Sequence, residues 1–228
     1  TLMSAFWIIV PVKDTSLSKQ RLGDLLSQDQ RRQLAHVMLE DVLEAIAPLR
    51  ERAPCVLVTV DDFARACAAR YGMRTIEDGA HDGHTGAVDG GRRRLTNEGA
   101  RGMLTMPGDI PLVTSDEIAG VLDAHERSRG FTIVPAGDKK GSNAVACSPP
   151  LAVPLRFGDN SFYPHLDAAR KAGIEPVVQE FPGIATDVDT PDDVRRLLRR
   201  DPHAKSRAAR YLQSIGLTAD TTTTETVE

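Results

Sequence analysis

The sequence has little of what several classes of protein require. Its 228 residues contain three cysteines, Cys55, Cys67 and Cys147, and this odd number without metal-site spacing is typical of reduced thiols in a cytoplasmic protein. No apolar run approaches the ~20 residues that span a membrane. The first residues lead into an apolar segment without a basic stretch, so we expect no signal peptide. We therefore predict a cytoplasmic protein without a membrane partner.

An excess of positive charge, which nucleic-acid-binding proteins carry, is also missing. The formal net charge is -4, and the basic runs at residues 92–94 and 199–200 are typical of solvated helix faces. We therefore expect no nucleic-acid partner. The length and the apolar fraction of 41% suit one large soluble domain, to which we assign residues 1–217. Residues 218–228, rich in Thr, Asp and Glu, are expected to be disordered.

Apolar segments rich in β-branched residues alternate with amphipathic segments along the chain. The amphipathic segments carry helix-start signals, such as the capping box of Ser27 with Gln30 and Thr190 before Pro191. This alternation predicts an α/β fold with a mostly parallel mixed sheet flanked by helices. The glycine-rich stretch at residues 77–86 is expected to be a loop before the third helix. Strands are predicted at residues 5–10, 55–60, 74–76, 102–106, 131–135, 143–147, 176–178 and 184–186.

A carboxylate is expected at the end of the fourth strand. The apolar run at residues 103–106 stops at Pro107-Gly108-Asp109, and ligands of open α/β sheets bind outside the carboxyl ends of the strands. Pro107 and Pro111 stiffen the turn that carries Asp109, which suits a metal ligand. The alternative is an aspartate that only ends a strand in a tight turn.

Positive side chains follow the first strand. Lys13, Lys19 and Arg21 lie in a polar loop, and flexible lysines with a forked guanidinium are suited to hold a triphosphate. The loop contains neither a P-loop motif nor the G-x-G-x-x-G motif of dinucleotide sites. The alternative is a solvated basic loop.

Two further carboxylates, Asp187 and Asp189, precede the last predicted helix. In an extended segment they point the same way, so together with Asp109 they offer three hard oxygen ligands suited to Mg²⁺ that bridges phosphates. The alternative is that this acidic stretch only caps the helix.

Small and hydroxyl-bearing residues form a third group, which contains Ser142, Gly158 and Ser161. Small residues let a backbone approach a ligand, and hydroxyls with N–H groups at a helix N-terminus bind anions. We expect a pocket for a small phosphorylated acid, the alternative being two ordinary turns. His81 and His84 lack the further ligands of a metal site and are interpreted as loop histidines.

Six motifs follow one another in a specific order. They are Val10-Pro11-Val12-Lys13, Lys19-Gln20-Arg21-Leu22, Pro107-Gly108-Asp109-Ile110-Pro111-Leu112, Gly141-Ser142-Asn143, Phe157-Gly158 with Ser161-Phe162, and Pro182-Gly183 leading to Asp187-Val188-Asp189-Thr190-Pro191. This order resembles the 2-phospho-L-lactate guanylyltransferase family, which includes phosphoenolpyruvate and 3-phosphoglycerate guanylyltransferases of coenzyme F-420 biosynthesis. The similarity extends over nearly the whole folded part of the chain.

The resemblance implies a nucleotidyltransferase fold of the GT-A type. It also implies a reaction that joins GTP to a small phosphorylated carboxylic acid and releases pyrophosphate. By matching positions, Asp109, Asp187 and Asp189 would hold Mg²⁺. The residues that would bind the phosphoacid are Ser142, Gly158 and Ser161, with Ser142 in place of the family's usual Thr. The triphosphate would be held by Lys13, Lys19 and Arg21, an assignment that rests equally on their chemistry.

The sequence departs from the family at one turn. Gly83-His84-Thr85-Gly86-Ala87 replaces a Gly-Leu-Asn-like turn that helps to hold the nucleotide, and we assign Gly83, Thr85 and Gly86 to nucleotide binding. The choice of nucleotide base or of acceptor could therefore differ from that of the family. Two alternatives remain at this point: a sugar-phosphate nucleotidyltransferase or glycosyltransferase of the same fold, and a nucleotide-binding paralogue without catalysis. Exposed helix faces would permit a homodimer.

Overall fold

The computed structural model describes residues 6–15, 19–128 and 130–220. The strands are β1 (Phe6–Pro11), β2 (Cys55–Val58), β3 (Arg74–Ile76), β4 (Gly102–Thr105), β5 (Phe131–Pro135), β6 (Ser142–Cys147) and β7 (Val177–Val178). The helices are α1 (Gln28–Ile46), α2 (Asp62–Arg70), α3 (Gly83–Asn97), α4 (Ser115–Ser128), α5 (Phe162–Lys171), α6 (Pro191–Arg200) and α7 (Arg207–Ser214). Short 3-10 turns lie at Gln20–Leu22 and Ala47–Leu49. Within the described ranges, no helix is both long and apolar enough to cross a bilayer.

The strands form one seven-stranded sheet in the order β3-β2-β1-β4-β6-β5-β7. β6 runs antiparallel to both of its neighbours, and the other pairs are parallel. The predicted α/β class with a mostly parallel mixed sheet is therefore confirmed. Residue 5 of the first predicted strand and residues 221–228 of the predicted tail lie outside the described residues.

The centre of the sheet is buried on both faces. In β1, Ile8 and Val10 pack in a cluster with residues of α1, α2 and α4, whereas Ile9 packs with residues of α3 and α5. All three side chains are fully buried. A strand covered on both faces explains the continuous apolar run in the sequence, because neither face has a polar side.

The strand order brings several polar segments to one edge of the sheet. β1 and β4 are parallel neighbours, so the loops that follow them leave the sheet at the same edge. β6 is antiparallel to β4, with Thr105 opposite Val145, so the first residue of β6, Ser142, lies at that edge as well. The loops after β1 and β4 and the start of β6 are thereby neighbours in space.

The C-terminal helices form a separate cluster against α1, and the sequence did not predict α7. Asp41 of α1 accepts hydrogen bonds from the backbone N–H groups of Arg207 and Ala208 at 2.9 and 3.0 Å, which caps the first turn of α7. Burial raises the pKa of Asp41 to about 6. Leu212 of α7, Leu197 of α6 and the α1 residues Leu34 and Met38 are fully buried in this cluster. This packing holds α6 and the segment before it in place.

Two predictions of secondary structure are wrong. Residues 184–186 form no strand, because Pro182-Gly183 starts a turn in which Ala185 N donates to Phe181 O at 2.9 Å. The stretch at residues 77–86 is a loop only as far as residue 82, because α3 begins at Gly83. Gly90 of α3 allows the helix to pack against this loop, because a Cβ there would lie 1.9 Å from the carbonyl oxygen of Asp78.

The basic run at residues 92–94 is not a solvated face throughout. Arg92 is 2% exposed, and its guanidinium donates to Pro150 O at 2.7 Å, Val153 O at 2.5 Å and Asp89 Oδ1 at 2.8 Å. Arg92 therefore fastens the chain after β6 to α3. Its neighbour Arg93 is exposed, as the sequence predicted.

Replacing Arg92 by alanine should lower the free energy of unfolding by about 3 kcal/mol, because two carbonyls and a carboxylate lose a charged donor in a buried place. Urea denaturation measures this loss. Arg93→Ala is the matched control, with an expected change within about 0.5 kcal/mol. Equal stability of the two variants would contradict the anchoring role of Arg92.

Candidate active site

A cavity of about 1310 Å³ opens at the edge of the sheet where β1 and β4 end. It is lined by residues of the loops after both strands, the start of β6, the start of α3, the turn before α5 and the segment before α6. Every site residue predicted from the sequence lines this cavity except Gly86. The fold therefore gathers into one place residues that are up to 176 positions apart, from Lys13 to Asp189.

Lys19 lies between two of the predicted carboxylates. Its Nζ donates to Asp109 Oδ2 at 2.5 Å and to Asp189 Oδ1 at 2.6 Å, and its side chain is 8% exposed. Burial alone would lower the pKa of Lys19, but the charges of Asp109 and Asp189 outweigh it and raise the pKa above its usual value. The Lys19 backbone is left-handed, with φ 58° and ψ 41°, a conformation that is costly for lysine.

Asp187 has a different environment from Asp189. Its Oδ1 accepts from Asn143 Nδ2 at 2.9 Å, and it forms no ion pair within the part of the chain that the structure describes. Burial raises the pKa of Asp187, and the charges of Asp109 and Asp189 act in the same direction. The fully buried Val188 lies between the two aspartates, and its N–H donates to Asp109 O at 3.1 Å. That bond joins the two acidic segments.

Helix capping does not account for Asp189. Thr190 and Asp193 form a complete capping box at the start of α6, in which Thr190 Oγ1 accepts from the N–H of Asp193 and Asp193 Oδ2 accepts from the N–H of Thr190. The carboxylate of Asp189 is consequently available to Lys19.

The donor set of these carboxylates suits Mg²⁺ that also binds phosphate. Among the described residues, no three His, Cys, Asp or Glu side chains are arranged so that they could hold a metal ion by themselves. Mg²⁺ does not need such a cage, because it binds through one or two carboxylates together with substrate phosphates and waters. Asp187 has no cationic partner among the described residues, and Asp109 nearby pairs with Lys19. These two carboxylates fit that requirement.

The other end of the cavity carries hydroxyl groups. Ser161 Oγ donates to Ser142 Oγ at 3.2 Å, and Ser142 Oγ lies 2.9 Å from His165 Nδ1. Gly158, at the cavity wall, has φ 139°, a conformation that favours glycine. The sequence did not predict a role for His165. Its position four residues after Ser161, one helical turn along α5, is the one feature of the sequence that places it near the hydroxyl groups.

The start of α3 connects the two ends of the cavity. Thr85 Oγ1 accepts from Phe157 N at 3.0 Å and lies 3.4 Å from Phe157 O, so its hydroxyl is engaged with the loop before α5. The ring of His84 lies 4.8 Å from that of Phe157, between centroids, and lines the cavity. Burial lowers the pKa of His84 to about 4. The interpretation of His84 as a loop histidine is wrong, because it belongs to the first turn of α3.

The two glycines of this turn differ in their surroundings. Gly83 has φ 73°, and no atom lies within 4 Å of the position that a Cβ would take, so this face is open to a ligand. A Cβ at Gly86 would lie 2.2 Å from Asp82 Cβ. Gly86 is therefore explained by the packing of the helix start against the loop before it.

Basic side chains lie around the rim. Lys13 and Arg21 are exposed there, and Arg21 Nη2 lies 3.9 Å from Asp159 Oδ2 across the cavity mouth. The sequence reasoning missed Lys140 and Arg196, which also line the cavity. The cavity thus combines an acidic floor, formed by Asp109, Asp187 and Asp189, with a rim where basic side chains alternate with further aspartates.

Comparison with known proteins identifies the family. A family model described as guanylyl transferase CofC like matches residues 6–228. The chain belongs to this guanylyltransferase family. The resemblance inferred from the six motifs is confirmed.

Relatives of this CofC-like chain include enzymes named for three acceptors. Identity is 37% over 201 residues to phosphoenolpyruvate guanylyltransferase of Rubrobacter xylanophilus, covering 86% of this chain and 94% of that protein. Identity to 3-phospho-D-glycerate guanylyltransferase of Colwellia psychrerythraea is 31%, and the match covers 83% of this chain and 90% of that protein. Identity to 2-phospho-L-lactate guanylyltransferase of Methanobrevibacter smithii is 24%, and the match covers 96% of this chain and 94% of that protein.

The fold of this CofC-like chain also occurs in solved structures. A crystal structure named as a nucleotide-diphospho-sugar transferase, from Desulfovibrio desulfuricans G20, superposes with a TM-score of 0.73 at 20% identity. The match covers 93% of this chain and 95% of that one. This likeness confirms the nucleotidyltransferase type of fold that the motifs implied.

Asn143 is the residue whose loss should disturb the acidic segment most directly. Its Nδ2 donates to Ile184 O as well as to Asp187, both at 2.9 Å. We expect Asn143→Ala to lower the free energy of unfolding by about 2 kcal/mol, because a buried carbonyl loses its donor. Thermal and urea denaturation measure the change. Asn97→Ala, at the exposed end of α3, serves as the control. A loss of stability no larger than that of the control would contradict the role of Asn143 in holding Ile184 and Asp187.

Proposed function

We propose that this protein is a Mg²⁺-dependent guanylyltransferase that joins GTP to a small phosphorylated carboxylic acid and releases pyrophosphate. The observation that carries the proposal is one cavity with two chemically different ends. Three carboxylates and Lys19 form one end, and a hydroxyl pocket forms the other. Membership of a guanylyltransferase family supports the reaction class.

The reaction would be an in-line displacement. An oxygen of the acceptor phosphate attacks the α-phosphorus of GTP and forms a new P–O bond. The bond from that phosphorus to the bridging oxygen breaks, and pyrophosphate leaves with the electron pair. A phosphate oxygen is already ionised at neutral pH, so no general base is required. Positioning and charge stabilisation then supply the rate enhancement.

The acidic end and the rim would hold the nucleotide. Lys13, Lys19 and Arg21 would contact the triphosphate, and the open backbone at Gly83 would approach the nucleoside. Asp109 and Asp187, with Asp189, would hold Mg²⁺, which would neutralise phosphate charge in the transition state. Thr85 would support this half through its bond to Phe157.

The hydroxyl end would hold the acceptor through Ser142, Gly158 and Ser161. The relatives are named for phosphoenolpyruvate, 3-phospho-D-glycerate and 2-phospho-L-lactate, and we propose an acceptor of this class. The resemblance extends this proposal to a role in coenzyme F-420 biosynthesis. A cytoplasmic location and a homodimer stay predictions.

Pyrophosphate release tests the reaction and the acceptor together. The purified protein, Mg²⁺ and GTP are assayed with each of the three phosphoacids, and ATP, CTP and UTP replace GTP in control reactions. We expect turnover with GTP and at least one acid. Release of free nucleoside diphosphate from a nucleoside-diphosphate sugar, supplied in place of GTP in a parallel reaction, would instead indicate glycosyl transfer. GTP binding without any turnover would indicate a non-catalytic paralogue.

The Asp109→Asn variant should lose at least about 100-fold in kcat, because the site loses one of its anionic oxygen ligands. The fold should persist, since the side chain ends at the cavity and its backbone bond to Val188 is retained. Asp167→Asn, an exposed carboxylate of α5 outside the cavity, is the control. Activity of Asp109→Asn close to that of the control would overturn the role of Asp109.

A further inference from the structure

His165 of α5 connects the acceptor side of the cavity to its supporting backbone. The ring is 1% exposed and does not line the cavity. Nδ1 lies 2.9 Å from Ser142 Oγ, and Nε2 lies 3.0 Å from Arg156 N. Each ring nitrogen therefore has one defined partner.

The partner of Nε2 determines the tautomer. The backbone N–H of Arg156 can only donate, so Nε2 must be the unprotonated, accepting nitrogen. A neutral imidazole with an accepting Nε2 carries its proton on Nδ1. His165 consequently donates through Nδ1–H to Ser142 Oγ.

The ring also has to stay neutral. An imidazolium would present an N–H on Nε2 to the N–H of Arg156, so two donors would meet. Burial of the ring lowers the pKa of His165 to about 4, and the charge of Arg92 acts in the same direction. The tautomer is therefore stable over the physiological pH range.

Ser142 is left with one capacity for hydrogen bonding. A serine hydroxyl has two acceptor lone pairs and one hydrogen. His165 Nδ1–H and the hydroxyl of Ser161 both donate to Ser142 Oγ, which uses both lone pairs. The hydrogen of Ser142 has to point elsewhere, and Ser142 lines the cavity.

We propose that His165 is a positioning residue that makes the Ser142 hydroxyl an obligate hydrogen-bond donor to an anionic oxygen of the acceptor. This inference rests on the proposed function, since it names the chemistry by which the acceptor pocket selects its ligand. A carboxylate or phosphate oxygen suits such a donor, because hydrogen bonds to ionised acceptors are the stronger ones.

The same ring fixes the backbone of the pocket from one side. His165 accepts the N–H of Arg156, and Thr85 accepts the N–H of the next residue, Phe157, from the side of α3. Gly158 follows directly. The two roles of His165 can be separated experimentally, because each depends on a different ring nitrogen.

Two substitutions separate these roles. In His165→Asn the amide NH₂ takes the place of Nδ1 and continues to donate to Ser142. In His165→Gln the amide oxygen takes the place of Nε2, so the bond to Arg156 is kept and the donor to Ser142 is lost. The KM for the acceptor should rise about tenfold in His165→Gln, which loses the donor to Ser142. It should rise less in His165→Asn, where the lost bond to Arg156 should lower the melting temperature. The KM for GTP should stay the same in both variants.

A double-mutant cycle with Ser142→Ala tests whether His165 changes the acceptor KM through Ser142. If His165 acts through Ser142, adding His165→Gln to Ser142→Ala should raise the acceptor KM no further. Independent, multiplicative effects would overturn the proposal, and so would equal changes in the KM values for acceptor and GTP. Melting temperatures of the variants separate these results from a loss of fold.

A spectroscopic measurement on the unmodified protein tests the tautomer without turnover. NMR of ¹⁵N-histidine-labelled protein should show His165 protonated on Nδ1 and unprotonated on Nε2 at neutral pH, with the signal assigned by its loss in His165→Asn. The opposite tautomer, or an imidazolium, would overturn the proposal. If no phosphoacid supports turnover, the dissociation constant of phosphoenolpyruvate from calorimetry replaces KM in the same comparisons. The binding comparison therefore tests the positioning role of His165 even if the proposed reaction does not occur.

Discussion

The double ion pair of Lys19 is the contact on which the rest of the site depends. Lys19 lies in the loop after β1, and its ammonium pairs with Asp109, which follows β4, and with Asp189, which precedes α6. Three carboxylates in one half-buried place would repel one another, and the lysine offsets one of their charges. Its partners are in reach only after β1 and β4 have paired and α6 has packed on α1. The acidic floor is therefore a product of the complete fold.

The charge distribution also explains the order of groups along the cavity. A triphosphate brings several negative charges, which an uncompensated acidic floor would repel. In the proposed reaction, Lys13 and Arg21 at the rim, Lys19 at the floor and a divalent cation would offset part of that negative charge. The opposite end of the cavity offers the neutral hydroxyl groups of Ser142 and Ser161 instead. The two ends of the cavity thus offer different kinds of interaction to a ligand.

The sequence predicts those features that depend on neighbouring residues. The two-faced burial of Ile8 to Val10, the carboxylate at the end of β4 and the cap of α6 were all readable from short patterns. Features that depend on residues far away in the sequence could not be predicted in this way. Arg92 is buried because of carbonyls 58 and 61 residues away, and residues 184–186 form a turn bonded to Asn143. His165 acquires its role from Ser142, 23 residues earlier, which no local pattern encodes.

The reversal of strand direction at β6 has a further consequence. On one side of β4 the neighbouring strand β1 reaches the cavity with its end, whereas on the other side β6 reaches it with its beginning. The residues proposed for the nucleotide therefore come from stretches on both sides of the one proposed for the acceptor, and the two groups meet at β4 and at the Thr85–Phe157 contact. Under the proposed function, a change of acceptor would then need substitutions only in the middle of the chain, around residues 142–161, while the flanking segments that would hold the nucleotide stay the same.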